Sequence, residues 1–338
     1  NRIINGAMVI DQRNAGASVT GNDNVFPVDR YKVQVTQSSK FTMQQNAGSV
    51  TPPAGFTNYL GITSSSAYSV TSSDYFFLQQ RIEGYNVADL DFGKSTAKTI
   101  TLSFWVRSSL TGTFGGSFQN DAQDRNYPFA YTISVANTWE YKTITATGDT
   151  TGTWLTTNGN GLRVNFGLGV GSTFSGTAGV WAGSLFSSAT GATSVVGTNG
   201  ATFYITGVQL EPGTVATPFE RRSFGQELAL CQRYFQRLGG VTGSVYAMLA
   251  VGNVQTGGTQ AFCIGRLTQT MRSAPTFGYS GVLGTDLLYN VTGNGTPTSL
   301  TLDQTTPDTF SLNVGFSATA GQCARVFTIT STGSANFS

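Results

Sequence analysis

Thr99-Ile100-Thr101-Leu102-Ser103-Phe104-Trp105-Val106-Arg107 decides the fold, because Ile100, Leu102, Phe104 and Val106 alternate with Thr101, Ser103, Trp105 and Arg107. Successive side chains of a strand point to opposite faces, so this stretch reads as a strand with one apolar and one polar face. Leu162, Val164, Phe166, Leu168 and Val170 repeat the pattern against Arg163, Asn165, Gly167 and Gly169. Between Phe203 and Leu210 the apolar parity shifts from Phe203 and Ile205 to Val208 and Leu210, with Gly207 at the shift. One extra residue there, a β-bulge, returns both pairs to the same core.

Working outward, strands are predicted near residues 2–10, 31–36, 75–82, 99–107, 129–135, 139–146, 162–170 and 202–210, separated by segments rich in Gly, Ser, Thr and Asn. Short strands with such punctuation predict a two-sheet antiparallel jelly-roll sandwich. Long loops are expected near 11–30, 46–72 and 171–200, and loops of that length are functional or mobile. Ser223 followed by Gln226 has the form of a helix capping box. Phe224, Leu228, Cys231, Phe235 and Leu238 then recur at heptad steps, which predicts a short helical connector over 223–238, with a helix-then-strand reading also open. Beyond it, strands are predicted at 244–252, 260–268, 309–316 and 325–330, with Gly257-Gly258 and Asn294-Gly295 as hairpin turns. The expected protein is all-β: a jelly-roll domain over 1–222, the connector over 223–238, and a second, smaller β-sandwich domain over 239–338. The tail from Ser331 to Ser338 is expected to fray or rest on a neighbour.

Length and composition agree with two domains, since 338 residues exceed what one core usually organises. Glycine numbers 42 and charged residues make up only 11%, against roughly 25% in an average globular protein. Histidine is absent. That removes triads with an imidazole base, two-His zinc sites, facial-triad iron sites and any histidine switch. The net charge of +2 comes without a long basic run, so a nucleic-acid partner is not expected. No segment approaches the ~20 apolar residues of a membrane span, and the first thirty residues lack a leader pattern, so the chain reads as soluble without membrane insertion. Cys231, Cys263 and Cys323 are too scattered for a disulfide framework or a metal knuckle and read as small buried hydrophobes. No cofactor and no metal site is indicated, and a single loop-stabilising calcium stays open without any dense acidic run to hold it.

A glycan hydrolase needs two carboxyl groups about 5–5.5 Å apart for retention or about 6.5–9.5 Å apart for inversion. Asp89 with Asp91, Asp121 with Asp124, and Glu211 with Glu220 are the available pairs, all in turn-like sequence where such side chains bond backbone amides. Aromatic and polar residues on outward strand faces say more. Core parity at Ile100, Leu102, Phe104 and Val106 leaves Trp105 and Arg107 outward. The same parity gives Arg81, Arg163 with Asn165, and Tyr204 with Thr206. A sheet face of this kind binds sugars when rings stack on pyranose C–H faces and Arg and Asn fork hydrogen bonds to hydroxyls. The competing reading covers Trp105 with a loop, a domain or a partner chain. Trp181, in a Gly-rich loop, is a separate candidate contact, while Trp139 and Trp154 read as anchors. Gly167-Leu168-Gly169-Val170-Gly171 continues a strand with no helix behind it, so its glycines indicate close approach of another sheet or chain rather than a phosphate cradle.

Five stretches belong together: the opening Asn1-Arg2-Ile3-Ile4-Asn5-Gly6-Ala7-Met8 through Gly16, Thr101 to Ser109, Thr138-Trp139-Glu140-Tyr141-Lys142-Thr143-Ile144, Phe203 to Gly213 with Ala216 to Arg222, and Glu227 to Phe235. Occurring together and in this order, they resemble bacteriophage and prophage tail-fibre-like proteins. The resemblance covers roughly residues 1–238. It implies a jelly-roll similar to carbohydrate-binding modules, followed by a variable C-terminal β domain, on a virion appendage. It also implies a non-enzymatic protein made in the host cytoplasm, with other virion proteins and host surface polysaccharide as partners and a homotrimer as the expected assembly. The family offers no catalytic motif to transfer. Here the jelly-roll begins at residue 1, where many fibres carry an attachment region. A capsid or head fibre and a glycan depolymerase remain the alternatives.

Overall fold

In a computed structural model, residues 1–239, 247–290, 294–328 and 333–338 are described. The chain divides into two compact units, Asn1–Glu227 and Leu228–Ser338. The sequence placed the junction near residue 222.

The first unit contains β1 (Val19–Thr20), β2 (Tyr31–Val35), β3 (Phe41–Gln45), β4 (Leu60–Ser64), β5 (Tyr75–Glu83), β6 (Ile100–Ser108), β7 (Gly112–Gln119), β8 (Asn126–Ile133), β9 (Glu140–Ala146), β10 (Asn160–Val170), β11 (Ser175–Gly176), β12 (Ser188–Ala189) and β13 (Thr202–Pro212). A six-stranded sheet in the order β1-β3-β4-β13-β6-β9 faces a five-stranded sheet in the order β2-β5-β10-β7-β8. The chain passes from one sheet to the other between β1 and β2, β2 and β3, β4 and β5, β5 and β6, β6 and β7, β8 and β9, and β9 and β10, and returns to the six-stranded sheet at β13, which makes the sandwich a jelly-roll. Its core includes the inward positions Ile100, Leu102, Phe104 and Val106 against Leu162, Val164, Phe166 and Leu168, as read from the sequence. Phe104 and Phe166 meet edge to face at 5.2 Å across the two sheets. Each such side chain contributes about 1.5–3 kcal/mol through burial. The bulge in β13 is present: its pairing with β6 shifts between Thr206 and Gln209, and Gly207 takes φ +63°. Phe203, Ile205, Val208 and Leu210 are accordingly all buried.

Residues 2–10, expected as a strand, form none. Asn5 and Met8 sit at positive φ, and side chains rather than a ladder tie the segment down. Gln80 accepts from the Ile4 N–H and donates to its carbonyl, both at 2.9 Å, while Asn5 bonds Ile10 in both directions. The expected loops at 11–30, 46–72 and 171–200 also contain strands, namely β1, β4, β11 and β12. β7 was missed because Gly112, Gly115 and Gly116 dilute the apolar alternation of Phe114 and Phe118.

The capping box forms, with the Ser223 N–H donating to Gln226 Oε1 at 3.1 Å and the Gln226 N–H donating to Ser223 Oγ at 3.4 Å. It opens α1 (Phe224–Gln232). Glu227, in the first turn, accepts from the Asn5 N–H and pairs with Arg222, which also bonds the Ile3 carbonyl. The helix stops at Gln232, so the heptad does not run on to Leu238; the chain turns into a strand instead.

In the second unit, β14 (Gln236–Gly239), β15 (Ala247–Val254), β16 (Gln260–Arg266), β17 (Phe277–Ser280), β18 (Leu287–Asn290), β19 (Asn294–Gly295), β20 (Ser299–Thr305), β21 (Thr309–Gly315), β22 (Cys323–Thr328) and β23 (Ser334–Phe337) form a three-stranded sheet, β14-β23-β17, and a seven-stranded sheet, β19-β18-β22-β15-β16-β21-β20. Phe310 of the larger sheet packs on Phe337 of the smaller at 4.4 Å. The tail is therefore not frayed where it is described: Ala335 and Phe337 belong to the core. Gly257-Gly258 turns between β15 and β16 with both residues at positive φ, whereas Asn294-Gly295 lies in a strand rather than at a turn. The predicted strand residues 244–246 and 329–330, and tail residues Ser331 and Thr332, lie outside the described residues. Cys231 and Cys263 are buried as expected, and Cys323 is exposed because it falls on the outward parity of β22.

Candidate functional site

The outer face of the five-stranded sheet is built from the residues that alternate with its core positions. Tyr31, Val33 and Val35 point inward from β2, which leaves Lys32 and Gln34 outward; Gln79 and Arg81 on β5, Arg163 and Asn165 on β10, and Ser117 and Gln119 on β7 follow the same parity. Register aligns them in two rows. Lys32 lies opposite Gln79, Gln79 opposite Asn165, and Asn165 opposite Ser117. Arg81 lies opposite Arg163, Arg163 opposite Gln119, and Gln119 opposite Asn126.

Hydrogen bonds run along the first row. Gln79 Nε2 donates to Asn165 Oδ1 at 2.8 Å, and Asn165 Nδ2 donates to Ser117 Oγ at 2.9 Å. Arg81 lies across this row, donating from Nε to Gln79 Oε1 at 2.6 Å and from an η nitrogen to Gln34 Oε1 at 3.3 Å. Arg163 donates from one η nitrogen to both the carbonyl and Oδ1 of Asp121 at 2.7 Å. Gln79, Ser117, Gln119 and Asn165 are fully buried and Arg163 is 8% exposed. Even so, Arg163 Nε, Gln119 Oε1 and Ser188 Oγ are buried with no hydrogen-bond partner. Leaving such groups unmade costs about 1–3 kcal/mol each.

One end of the face is roofed by the segment carrying β11 and β12. A Cβ on Gly115 or Gly167 would meet Ser188 Oγ at 2.4 or 2.7 Å, so glycine at both positions lets this segment lie directly on the sheet. Close approach of another sheet or chain was expected at Gly167, and the partner is the chain's own loop. Gln119 Nε2 donates to the Phe186 carbonyl of the roof at 2.9 Å. Along β5, Tyr75 and Phe77 continue the outward parity, with rings 5.4 Å apart, and Phe174 stands against Tyr75 at 5.2 Å. The face therefore runs from an aromatic end to a cationic end.

Burial lowers the Lys32 ammonium below its usual range, and Arg81 and Arg163 push it the same way against the opposing charge of Asp23. Burial alone would raise Asp121, but hydrogen bonds from Arg163 and Asn160 and the charges of Arg163 and Arg81 outweigh it and hold the carboxyl low. Ammonium and guanidinium donors beside a free amide acceptor suit the binding of hydroxyl or anionic groups.

The structure separates the seven residues singled out from the sequence. Arg81, Arg163 and Asn165 share the face just described. Trp105, Arg107 and Tyr204 occupy the outer face of the other sheet, so one common face is corrected to two. There Arg107 lies opposite Tyr204, with the guanidinium 5.5 Å from the ring centroid, and Trp105 lies opposite Tyr141 with rings 5.3 Å apart. Tyr59 packs on Tyr204 at 5.2 Å, and Trp139, anchored by its Nε1 to the Thr51 carbonyl, packs on Tyr59. The loop before β4 thus covers Tyr204 and leaves Trp105 half-buried. Trp181 is not a free contact: it packs against Tyr127, Trp154 and Phe92 and donates to the Thr147 carbonyl at 2.8 Å. Sequence reading missed Lys32, Gln79, Ser117 and Gln119. Parity on the predicted 31–36 and 75–82 strands identifies the first two; the others required β7.

The carboxylate pairs are engaged. Asp89 binds Arg2 at 2.6 Å and Asp91 binds Lys94 at 2.7 Å. Asp124 accepts from Asn120 Nδ2 at 2.6 Å. Glu211 accepts from the Thr217 N–H at 2.8 Å and its hydroxyl at 2.7 Å, and Glu220 pairs with Arg222 at 3.5 Å. Among the described residues, no three His, Cys, Asp or Glu side chains gather to hold a metal ion, and no helix is long and apolar enough to cross a membrane.

Fold and site together define an all-β protein with a jelly-roll sandwich and a polar, cationic sheet face. No family model and no curated protein matches the chain. Among solved structures, it is similar to the enzymatically active domain of tailspike protein 4 from bacteriophage CBA120, at 13% identity and TM-score 0.32 over 57% of this chain and 21% of that one, so it spans about a fifth of the tailspike chain. A structure titled "CBM4 structure and function" aligns at 17% identity and TM-score 0.30 over 62% of this chain and 98% of that one. The family 11 carbohydrate-binding module of the cellulosomal cellulase Lic26A-Cel5E of Clostridium thermocellum aligns at 12% identity and TM-score 0.29 over 60% and 99%. At these scores the likenesses carry no argument, and the fold stands on the sheets and core described above.

Proposed function

We propose that this protein is a non-enzymatic structural component of a bacteriophage virion, a tail fibre whose jelly-roll adheres to host surface glycan through the outer face of the five-stranded sheet. One observation carries the reading: this face holds buried hydrogen-bonding atoms with no partner, Arg163 Nε and Gln119 Oε1, beside a fixed row of amides. A pyranose presents paired hydroxyls that satisfy such groups, and the half-buried Tyr75 offers ring surface for its C–H face. The absence of catalysis fits the carboxylates, since Asp91, Asp121, Glu211 and Glu220 are all held low, where none serves as a general acid at neutral pH. Assembly as a homotrimer with other virion proteins, and residence on a virion appendage, belong to the same proposal; light scattering that finds a concentration-independent monomer removes the trimer.

The test incubates the purified protein with envelope polysaccharide of candidate hosts and measures both retention and release of oligosaccharide. Retention without release is expected. Release that disappears in Asp121→Asn or Asp124→Asn would make the protein a depolymerase instead.

A further inference from the structure

We propose that copies of this chain assemble through the outer face of the seven-stranded sheet, whose middle strands turn toward the symmetry axis while one flank of each copy meets the opposite flank of the next. The inference rests on the homotrimer part of the proposed function and adds the surface and the order of contact.

Strand parity makes this face. Positions that alternate with the second core point away from it, and register aligns one row of them across five strands: Arg325 on β22, Val251 on β15, Ile264 on β16, Ser311 on β21 and Gln304 on β20. Val251 and Ile264 are directly opposite each other, 48% and 61% exposed, and Met248 is also exposed further along β15. A lone exposed aliphatic residue is ordinary, whereas neighbours in the middle of a sheet mark a contact surface. At the usual strand spacing the five strands span about 24 Å, and the seven residues of β16, β20 and β21 run about 23 Å, so the face measures about 550 Å² in projection. That is most of the roughly 800 Å² that a stable interface takes from each partner.

Charge placement points to a second copy as the occupant. Arg325 is exposed on one flank of the face. On the other flank Asp303 is exposed in the bulge where β20 shifts register against β21, between Leu302 and Gln304. Arg325 lies 5.9 Å from the Phe327 ring centroid, and neither it nor Asp303 forms an ion pair among the described residues. Three strands separate β22 from β20, which sets them about 19 Å apart, so the two charges do not meet within one chain. Between chains they do: a contact that joins unlike flanks repeats from copy to copy and closes into a ring, with Arg325 of one copy facing Asp303 of the next. Arg266, two residues beyond Ile264, ends β16 at the border of the face.

The residue types agree with an interface. Lysine and glutamate, both depleted at interfaces, are absent from the second unit, while Met248 and Arg325 are of types enriched there. A saccharide is a poorer occupant, because its C–H face stacks on rings and the middle of this face is aliphatic. The bulge in β20 also blunts that edge against strand addition, which leaves the face itself as the contact.

The test measures self-association of the full chain by sedimentation over a wide concentration range. Wild type is expected to sediment as a trimer. Val251→Lys and Ile264→Lys are each expected to weaken association at least about tenfold, because a charge then stands in the middle of the contact. Ile264→Thr keeps the β-branched shape and is expected to weaken association without a change in the circular-dichroism spectrum. Val215→Lys, at an exposed aliphatic of the first unit, is expected to leave association unchanged. Arg325→Asp alone weakens association, and adding Asp303→Arg to the same chain restores it, since the exchanged flanks again meet as opposites. An oligomer untouched by Ile264→Thr and Ile264→Lys, or unrestored by the double exchange, overturns this surface while leaving the homo-oligomer standing. A wild-type monomer at every concentration overturns both.

Discussion

The two outer faces of the sandwich begin from the same strand parity and end as opposites. On the six-stranded side, neighbouring loops satisfy several buried groups, although Thr202 Oγ1 is left over: Thr206 Oγ1 donates to the Asn58 carbonyl at 2.7 Å, Thr101 Oγ1 to the Gly213 carbonyl at 2.8 Å, and Glu211 receives both donors of Thr217. On the five-stranded side the roof stops short, and Arg163 Nε, Gln119 Oε1 and Ser188 Oγ are left over. Aromatic content favours the first face and unused hydrogen-bonding capacity the second. Polar atoms that folding desolvates without pairing are the stronger mark of a binding surface, because their cost persists until a ligand removes it.

The comparison breaks most forcefully at Tyr204. Its ring is 5% exposed and packs on Tyr59, so Tyr204→Ala is expected to cost about 3 kcal/mol or more in chemical unfolding of the jelly-roll unit while leaving glycan retention per folded molecule intact. Loss of binding beyond the loss of folded protein would transfer the site to the six-stranded face.

That outcome bears on how much was legible in the sequence. Parity on Ile100 to Val106 and Leu162 to Leu168 was enough to identify the core, because period-two alternation is a direct consequence of strand geometry. It also assigned Trp105, Tyr204, Arg163 and Asn165 correctly to outward positions. Parity carries no information about which sheet a strand joins, so residues from opposite faces were grouped as one. β7 was invisible because its glycines answer to distant contacts, Gly115 making room for Ser188 and Gly112 lying against Thr193, both over seventy residues away in the chain. The opening segment was misread for a related reason: Ile3 and Met8 join the hydrophobic core without strand alternation, and hydrogen bonds from the Ile4 N–H to Gln80 and from Asn5 to the Asp29 carbonyl hold the segment in place.

A second prediction separates stability from binding by pH. Asp29 is 1% exposed, and burial pushes its carboxyl up to about 6 despite the charge of Arg13 and a hydrogen bond from Gln12. A folded-state value above the unfolded one means that its contribution is complete below the ordinary carboxylate value and is lost as pH rises through about 6. Asp29→Asn is therefore expected to stabilise the jelly-roll at pH 7 by about 2–3 kcal/mol relative to its effect at pH 3.5. Thermal unfolding across pH checks this, and a parallel pH profile for wild type and variant refutes it. Glycan retention by the five-stranded face should not follow that transition, since Asp29 bonds Asn5, Gln12 and Arg13 and not the binding rows.

Asn165→Ala acts on the five-stranded face itself. It removes the bonds to Gln79 and Ser117, leaving two buried partners unmatched, and is expected to cost about 1–3 kcal/mol. Unlike Tyr204→Ala, it should also lower glycan retention per folded molecule. Retention that tracks the folded fraction alone would make the row a purely internal network, like the bonds around Glu211.

The smallest effect is the sharpest discriminator. Tyr141 is 44% exposed on edge strand β9, and its principal aromatic neighbour is Trp105 directly across from it. A cross-strand aromatic pair contributes about 0.2–1 kcal/mol, so Tyr141→Ser should barely move the unfolding midpoint. Yet Trp105 and Tyr141 form the most accessible ring pair on the six-stranded face, the geometry that sugar stacking would use there. Because the substitution leaves the fold in place, its binding result reads the face directly. Undiminished glycan retention in Tyr141→Ser, beside a loss in Asn165→Ala, assigns recognition to the polar face. The reverse pattern assigns it to the rings and makes the unpaired polar atoms an unexplained cost of the five-stranded sheet.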